Sequence, residues 1–196
     1  MSARSYTRRQ LMSFKLPYDA EIEYLESTGT QWIDTGVIPT RTTHTQVYKS
    51  FTELSENNNG DGIYNGRSIR FHDGFYQSKF HFGIGGNNNY TTTIAWDYDR
   101  HLFEMFGSGY AKLDGNVYNI SSGLNTYSLK FTLFRRNGMS QFAKEQIVYC
   151  KIYQEDILIR DYIPVRVGNV GYLFDRVSGQ FFGNSGTGSF ILGPDK

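Results

Sequence analysis

The chain has a single cysteine, Cys150, so no disulfide can form within it. Its fold must hold by packing alone, as expected in a reducing compartment or for a chain with a self-sufficient core. Charge of one sign is also lacking. The formal net charge is +1, so no overall field draws the protein to nucleic acid or to an anionic membrane. No apolar run approaches the roughly 20 residues of a membrane-spanning helix. The four histidines (His44, His72, His81 and His101) show no zinc-ligand spacing. No G-x-S-x-G elbow is present, and Gly83-Ile84-Gly85-Gly86 leads into no helical pattern, so it is not a dinucleotide fingerprint. Sustained 3.6-residue periodicity and repeats of fixed period are absent.

What is present is aromatic and turn-rich. The 196 residues include 15 Tyr, 15 Phe and 21 Gly, the composition of pleated, half-buried surfaces joined by turns. That length suits one all-β domain. Strand signals recur from residue 22 onward. They include a long β-branched run over 42–51, aromatic alternation over 75–83, short runs over 91–96 and 101–106, and alternation over 126–134. Tight turns are expected at His72-Asp73-Gly74, Asp114-Gly115, Asn137-Gly138, Gln154-Glu155-Asp156 and Val177-Ser178-Gly179. Cys150 falls on one face of the strand over 146–153, with Val148 and Ile152, and is expected to be a buried, inert thiol.

Residues 1–16 carry Arg4, Arg8, Arg9 and Lys15 without the apolar core of a secretory signal. They are expected to be a basic, flexible tail, with a short arm that docks onto a larger assembly of other virion or surface proteins and orders there as the functional alternative. Residues 17–196 are expected to form the domain, an all-β, two-sheet antiparallel β-sandwich.

Two segments frame that domain. Near the front stands YLESTGTQWIDTG (24–36). Near the end stand YCKIYQEDILIRDYIPVR (149–166) and GYLFDRVSGQFFGNSGTGSFILGP (171–194). With these motifs the chain, from about residue 16 to 194, resembles a group of concanavalin A-like (laminin-G-like) jelly-roll proteins frequent in gut bacteria and their phages. The resemblance implies a jelly roll that serves extracellular or virion-surface recognition, often of glycans, or structural attachment. Fold by itself does not fix function.

Candidate site residues were weighed against structural roles. Trp96, Tyr90, Tyr98 and Tyr110 are aromatic platforms for a sugar face, with Asn88, Asn89 and Asp97 taking its hydroxyls. Asp97 and Asp99 offer hard oxygens for Ca²⁺, the one candidate cofactor. Glu21, Glu23 and Glu26 approach the E-x-D-x-x-E pattern of jelly-roll glucanases, in which a carboxylate pair flanks the scissile bond. A charged edge strand is the simpler account of that run. Trp32 alternates with Ile33 and is expected in the core. The combined expectation is a non-catalytic structural or adhesion protein on a phage virion or bacterial surface that recognises glycans or a host-surface receptor. Neither nucleic-acid binding nor a membrane span is expected. A carbohydrate-binding module is the alternative, and a glycoside hydrolase using Glu21 and Glu26 a more distant one.

Overall fold

The computed structural model describes residues 16–54, 60–65, 69–86, 89–121, 123–124, 128–138 and 141–196. Among them are nineteen strands and no helix. In chain order they are β1 (Ala20–Glu21), β2 (Leu25–Thr28), β3 (Ile33–Asp34), β4 (Thr43–Phe51), β5 (Gly62–Asn65), β6 (Ile69–Tyr76), β7 (Lys79–Gly85), β8 (Asn89–Ala95), β9 (His101–Phe106) and β10 (Tyr110–Leu113). Then come β11 (Asn116–Asn119), β12 (Thr132–Leu133), β13 (Arg135–Asn137), β14 (Gln141–Phe142), β15 (Lys144–Gln154), β16 (Ile157–Val167), β17 (Val170–Asp175), β18 (Gln180–Phe182) and β19 (Ile191–Leu192).

They form two sheets packed as a sandwich, as the sequence predicts. The larger runs β11-β10-β9-β4-β15-β16-β17-β18, with β2 and β19 added beside the first half of β15 and β1 on β16. The smaller runs β14-β13-β5-β6-β7-β8, with β12 and β3 alongside. Every pairing is antiparallel except β13 with β5. Alternation sets the faces. Along β4, Thr43, Thr45, Val47, Lys49 and Phe51 point inward, while His44, Gln46 and Tyr48 point outward. Between the sheets lies an aromatic core that includes Phe71, Phe80, Phe82, Phe103 and Phe131. Burying each such ring contributes roughly 1.5–3 kcal/mol. Cys150 is fully buried within it, and burial pushes its thiol well above the ordinary value.

The framing segments meet in space. β2 pairs with β19, β1 pairs with β16, and Ile22 bridges to Asp195. Tyr162 Oη and Arg160 Nε both donate to the Thr35 carbonyl, at 3.2 and 3.3 Å. Arg166 grips Asp195 through two bonds of 2.7 and 2.6 Å. The Asn184 side chain accepts from Trp32 N–H at 3.2 Å and from Gly186 N–H at 2.8 Å. Trp32 packs against the core with the Arg135 guanidinium 4.8 Å from its ring.

Three local expectations are corrected. His72-Asp73-Gly74 is not a turn but the middle of β6. The hairpin turns instead at Gln77-Ser78, whose φ angles are +52° and +58°, so the run over 75–83 spans two strands. Asp73 is held inside by buried partners. A Cβ on Gly74 would lie 2.1 Å from Arg136 Nη2, so glycine is there to let the guanidinium approach. Of 126–134, only Thr132–Leu133 is a strand among the described residues, and Phe134, at φ +64°, ends it. The charged run at the front is an edge only in part: Glu26 lies in β2, between β15 and β19, whereas Glu21 lies in β1, which pairs with β16 alone among the described strands. The turns at Asp114-Gly115 and Glu155-Asp156 stand where expected, each with two positive φ angles.

Candidate functional site

One end of the larger sheet gathers the start of β4, the end of β9, the start of β10 and the β15–β16 turn. Register sets Tyr110, Phe106, His44 and Tyr153 side by side across four strands. Their rings stack, with centroids 4.0 Å apart for Tyr110–Phe106, 4.0 Å for Phe106–His44 and 5.3 Å for His44–Tyr153. These residues face outward because their chain neighbours Thr43, Met105, Ala111 and Ile152 are buried. Rings stacked across adjacent strands stand upright on the sheet, so the row presents ring edges.

The next row is polar. Lys112, Glu104, Gln46 and Lys151 lie across the same four strands. Glu104 Oε2 accepts from His44 Nε2 at 2.9 Å and from Gln46 Nε2 at 3.0 Å. Burial lowers the His44 pKa and outweighs the Glu104 hydrogen bond, which by itself would raise it. A neutral ring donating through Nε2 follows.

At the end of the stack the surface opens into a depression of ≈ 250 Å³. His44, Phe106 and Tyr110 wall it, and Arg41, Glu155 and Asp156 stand on its rim. A neighbouring depression of ≈ 330 Å³ shares Thr42 and Glu155 and runs on to Ile157 and Ile159. Together they make a groove. Glu155 and Asp156, at φ +51° and +61°, are the two central residues of the tight β15–β16 turn. Apolar walls with a few polar groups on the rim form the usual arrangement of a small-ligand site. Opposite charges on the rim suit a neutral, hydroxyl-rich ligand, since carboxylates accept and a guanidinium donates.

Apart from Tyr110, the residues singled out in the sequence lie elsewhere, and only some of them are together. Trp96 and Tyr90 stand at opposite ends of β8. Trp96 is half-buried against Phe75, at 4.9 Å, and Tyr90 against Tyr118, at 5.2 Å. Tyr98 is 65% exposed. The backbone of Asn89 pairs with Gly83 in β8, and Asn88 lies outside the described residues. Asp97 Oδ1 accepts from Asp99 N–H at 2.8 Å and from His101 Nε2 at 2.9 Å. His101 Nδ1 in turn donates to Asp114 Oδ2 at 2.5 Å. Burial disfavours the imidazolium of His101, but the hydrogen bonds to Asp114 and Asp97 outweigh it and raise the pKa. Among the described residues no group of three or more His, Cys, Asp or Glu is arranged to hold a metal ion. The front carboxylates have separate partners. Glu21 accepts from Tyr18, Glu23 pairs with Arg100 and Glu26 accepts from Gln146. Tyr110, expected as a platform beside Trp96, belongs to the groove.

The groove residues Arg41, His44, Phe106, Glu155 and Asp156 were not evident as a site from the sequence. Their one sequence signal is the alternation of β4, which sets His44, Gln46 and Tyr48 on the parity opposite Val47 and Phe51. In comparisons with family models, curated proteins and solved structures, none matched the chain. The class the coordinates define is that of a two-sheet β-sandwich.

Proposed function

We propose that this protein is a non-catalytic adhesion or structural protein of a virion or bacterial surface that recognises glycans, and that the groove at the end of the larger sheet is the recognition site. The observation that carries this reading is the groove itself, with stacked aromatic residues on one wall and Arg41, Glu155 and Asp156 on the rim. The near-zero net charge agrees with a neutral ligand. The framing motifs support the surface role through the family they resemble. The basic segment over residues 1–16 would supply attachment; residues 1–15 lie outside the described residues. Recognition is favoured over hydrolysis because Glu21, Glu23 and Glu26 are individually engaged with Tyr18, Arg100 and Gln146.

The test is binding of the purified chain to a panel of host-surface and mucin glycans, followed by substitution in the groove. Tyr110→Ala and Asp156→Asn should each weaken binding about tenfold, roughly 1.4 kcal/mol, with the melting temperature of Asp156→Asn unchanged. Absence of binding to every glycan, or binding indifferent to both substitutions, would sink the proposal.

A further inference from the structure

The core of the sandwich holds a lysine. Lys49 occupies the inward parity of β4 between Val47 and Phe51 and is fully buried. Its Nζ lies 2.6 Å from Asp61 Oδ2, 2.8 Å from Asp73 Oδ1 and 2.9 Å from Glu145 Oε2, and all four side chains are 0% exposed. The rings of Phe51 and Phe103 stand 4.9 and 5.0 Å from the same nitrogen. Lys49 and Glu145 belong to the larger sheet. Asp73 belongs to the smaller one, and Asp61 immediately precedes its strand β5. The cluster therefore spans the two layers.

Lys49 and the buried Arg136 guanidinium beside Asp73 are two cations against three carboxylates, so the charge does not balance in this apolar interior. Burial pushes the Glu145 carboxyl well above the carboxylate range and the Asp73 carboxyl up to about 6. Burial disfavours the Lys49 ammonium, but the charges of Asp61, Asp73 and Glu145 outweigh it and raise the pKa, so the resting cluster holds an ammonium at Lys49 and a proton at Glu145. Among the described residues, and beyond the ion pair with Lys49, neither Glu145 oxygen meets a hydrogen-bond donor and Asp73 Oδ2 has no hydrogen-bond partner. A proton carried by Glu145 and donated to Asp61 would give one of the two Glu145 oxygens a hydrogen bond.

Asp61 is held as an electrophile would be. Phe134 N–H donates to its Oδ1 at 2.6 Å, while Oδ2 faces Lys49. Asp61 N–H is bonded to Asp73 Oδ1 at 3.2 Å. Gly60 is packed so tightly that a Cβ there would fall 1.6 Å from that same oxygen. The chain is thereby fixed on both sides of Asp61.

We propose that Lys49 and Asp61 condense to an amide, an isopeptide bond that joins the two sheets covalently, with Asp73 and Glu145 carrying the protons. Lys49 passes one proton from its ammonium to Asp73, and Glu145 protonates Asp61 Oδ2. The free amine then attacks Asp61 Cγ, forming the C–N bond, and the charge that develops on Oδ1 is met by Phe134 N–H. A second nitrogen proton returns to Glu145. The Cγ–Oδ2 bond breaks as Oδ2 leaves as water with the proton held by Asp73. Ammonium and carboxylate have become amide plus one water, and Asp73 and Glu145 end as they began. The reaction requires no oxidant or activating group. Fixed proximity stands in for activation, since oriented intramolecular pairs reach effective concentrations of ~10⁵–10⁸ M, and the dry site favours loss of water.

This inference goes beyond glycan recognition and stands without it. Mass spectrometry of the folded full chain tests it. The intact protein should be one water lighter than its sequence, and a protease digest should yield one branched fragment joining the Lys49 and Asp61 peptides. The branched fragment decides, because Asp61 and Asp73 each precede glycine and an Asp-Gly pair can also lose water by closing on its own backbone. Glu145→Gln should restore the full mass in a chain that circular dichroism shows to be folded, as should Lys49→Arg. Wild-type protein at its full sequence mass, with the two peptides separate, overturns the proposal. So does a branch at Asp73 in place of Asp61, and a Glu145→Gln chain that still carries the branch removes Glu145 from the mechanism.

Discussion

His101 binds two carboxylates through its two ring nitrogens, so both must donate and the imidazolium is the favoured form. Its pKa in the fold is raised above the ordinary 6.5. A raised folded pKa means that the stabilising contribution is complete below about pH 6.5 and fades as pH rises through the higher folded value. His44 and His72 are held below the ordinary value, chiefly by burial, and contribute the opposite slope. The readout is therefore the difference between wild type and His101→Gln in thermal unfolding across pH. Wild type should hold a margin at low pH that shrinks on going alkaline; a margin independent of pH would contradict the assignment. At this scale the sequence was partly legible. Cys150 lies where its alternation puts it. Lys49 was not singled out, although it shares the parity of Val47 and Phe51 in THTQVYKSF. A lysine on an apolar parity is a buried charge in need of partners. Those partners, Asp61, Asp73 and Glu145, come from other strands, and no local pattern links them.

Among the elements, the β6–β7 hairpin departs from its sequence signal. Asp73-Gly74 has the residues of a two-residue turn, yet Gln77-Ser78 makes the turn with both residues in the left-handed region. The tertiary demand on Asp73 and the approach of Arg136 override the local preference. Gln and Ser are poor occupants of positive φ, where Asn and Gly are preferred. Replacing both, Gln77→Asn with Ser78→Gly, should stabilise the protein by about 1 kcal/mol, or roughly 2–4 °C in melting temperature for a domain of this size. A lower melting temperature would mean that the turn is held by contacts of the native side chains. Turns with no such competing demand, at Asp114-Gly115 and Glu155-Asp156, fall where the sequence puts them. Strand parity was likewise legible along β4, but in β15 a bulge between Ile147 and Tyr149 shifts it, so Glu145 and Ile147 are buried before it, Cys150 and Ile152 after it, and Val148, expected to share the face of Cys150, is only half-buried.

Over the whole molecule, the two framing motifs pair with each other, through β2 with β19 and β1 with β16. Their separation in sequence conceals a single seam that closes the sandwich. The glycan groove has the same character. Arg41 and His44, Phe106 and Tyr110, and Glu155 and Asp156 come from three distant segments, each ordinary by itself, and only the order β10-β9-β4-β15-β16 brings them together. The aromatic group near Trp96 is conspicuous in sequence because Tyr90, Trp96 and Tyr98 lie within nine residues. Folding turns Trp96 and Tyr90 toward the core and leaves Tyr98 outside. The most direct test of where recognition occurs is to titrate a glycan selected from the panel into isotope-labelled protein and follow the backbone amide shifts. The account predicts saturable shifts at Arg41, His44, Phe106, Tyr110, Glu155 and Asp156, with Asp97–Asp99 still. Shifts confined to the stretch from Trp96 to Asp99, with the groove unmoved, would contradict it.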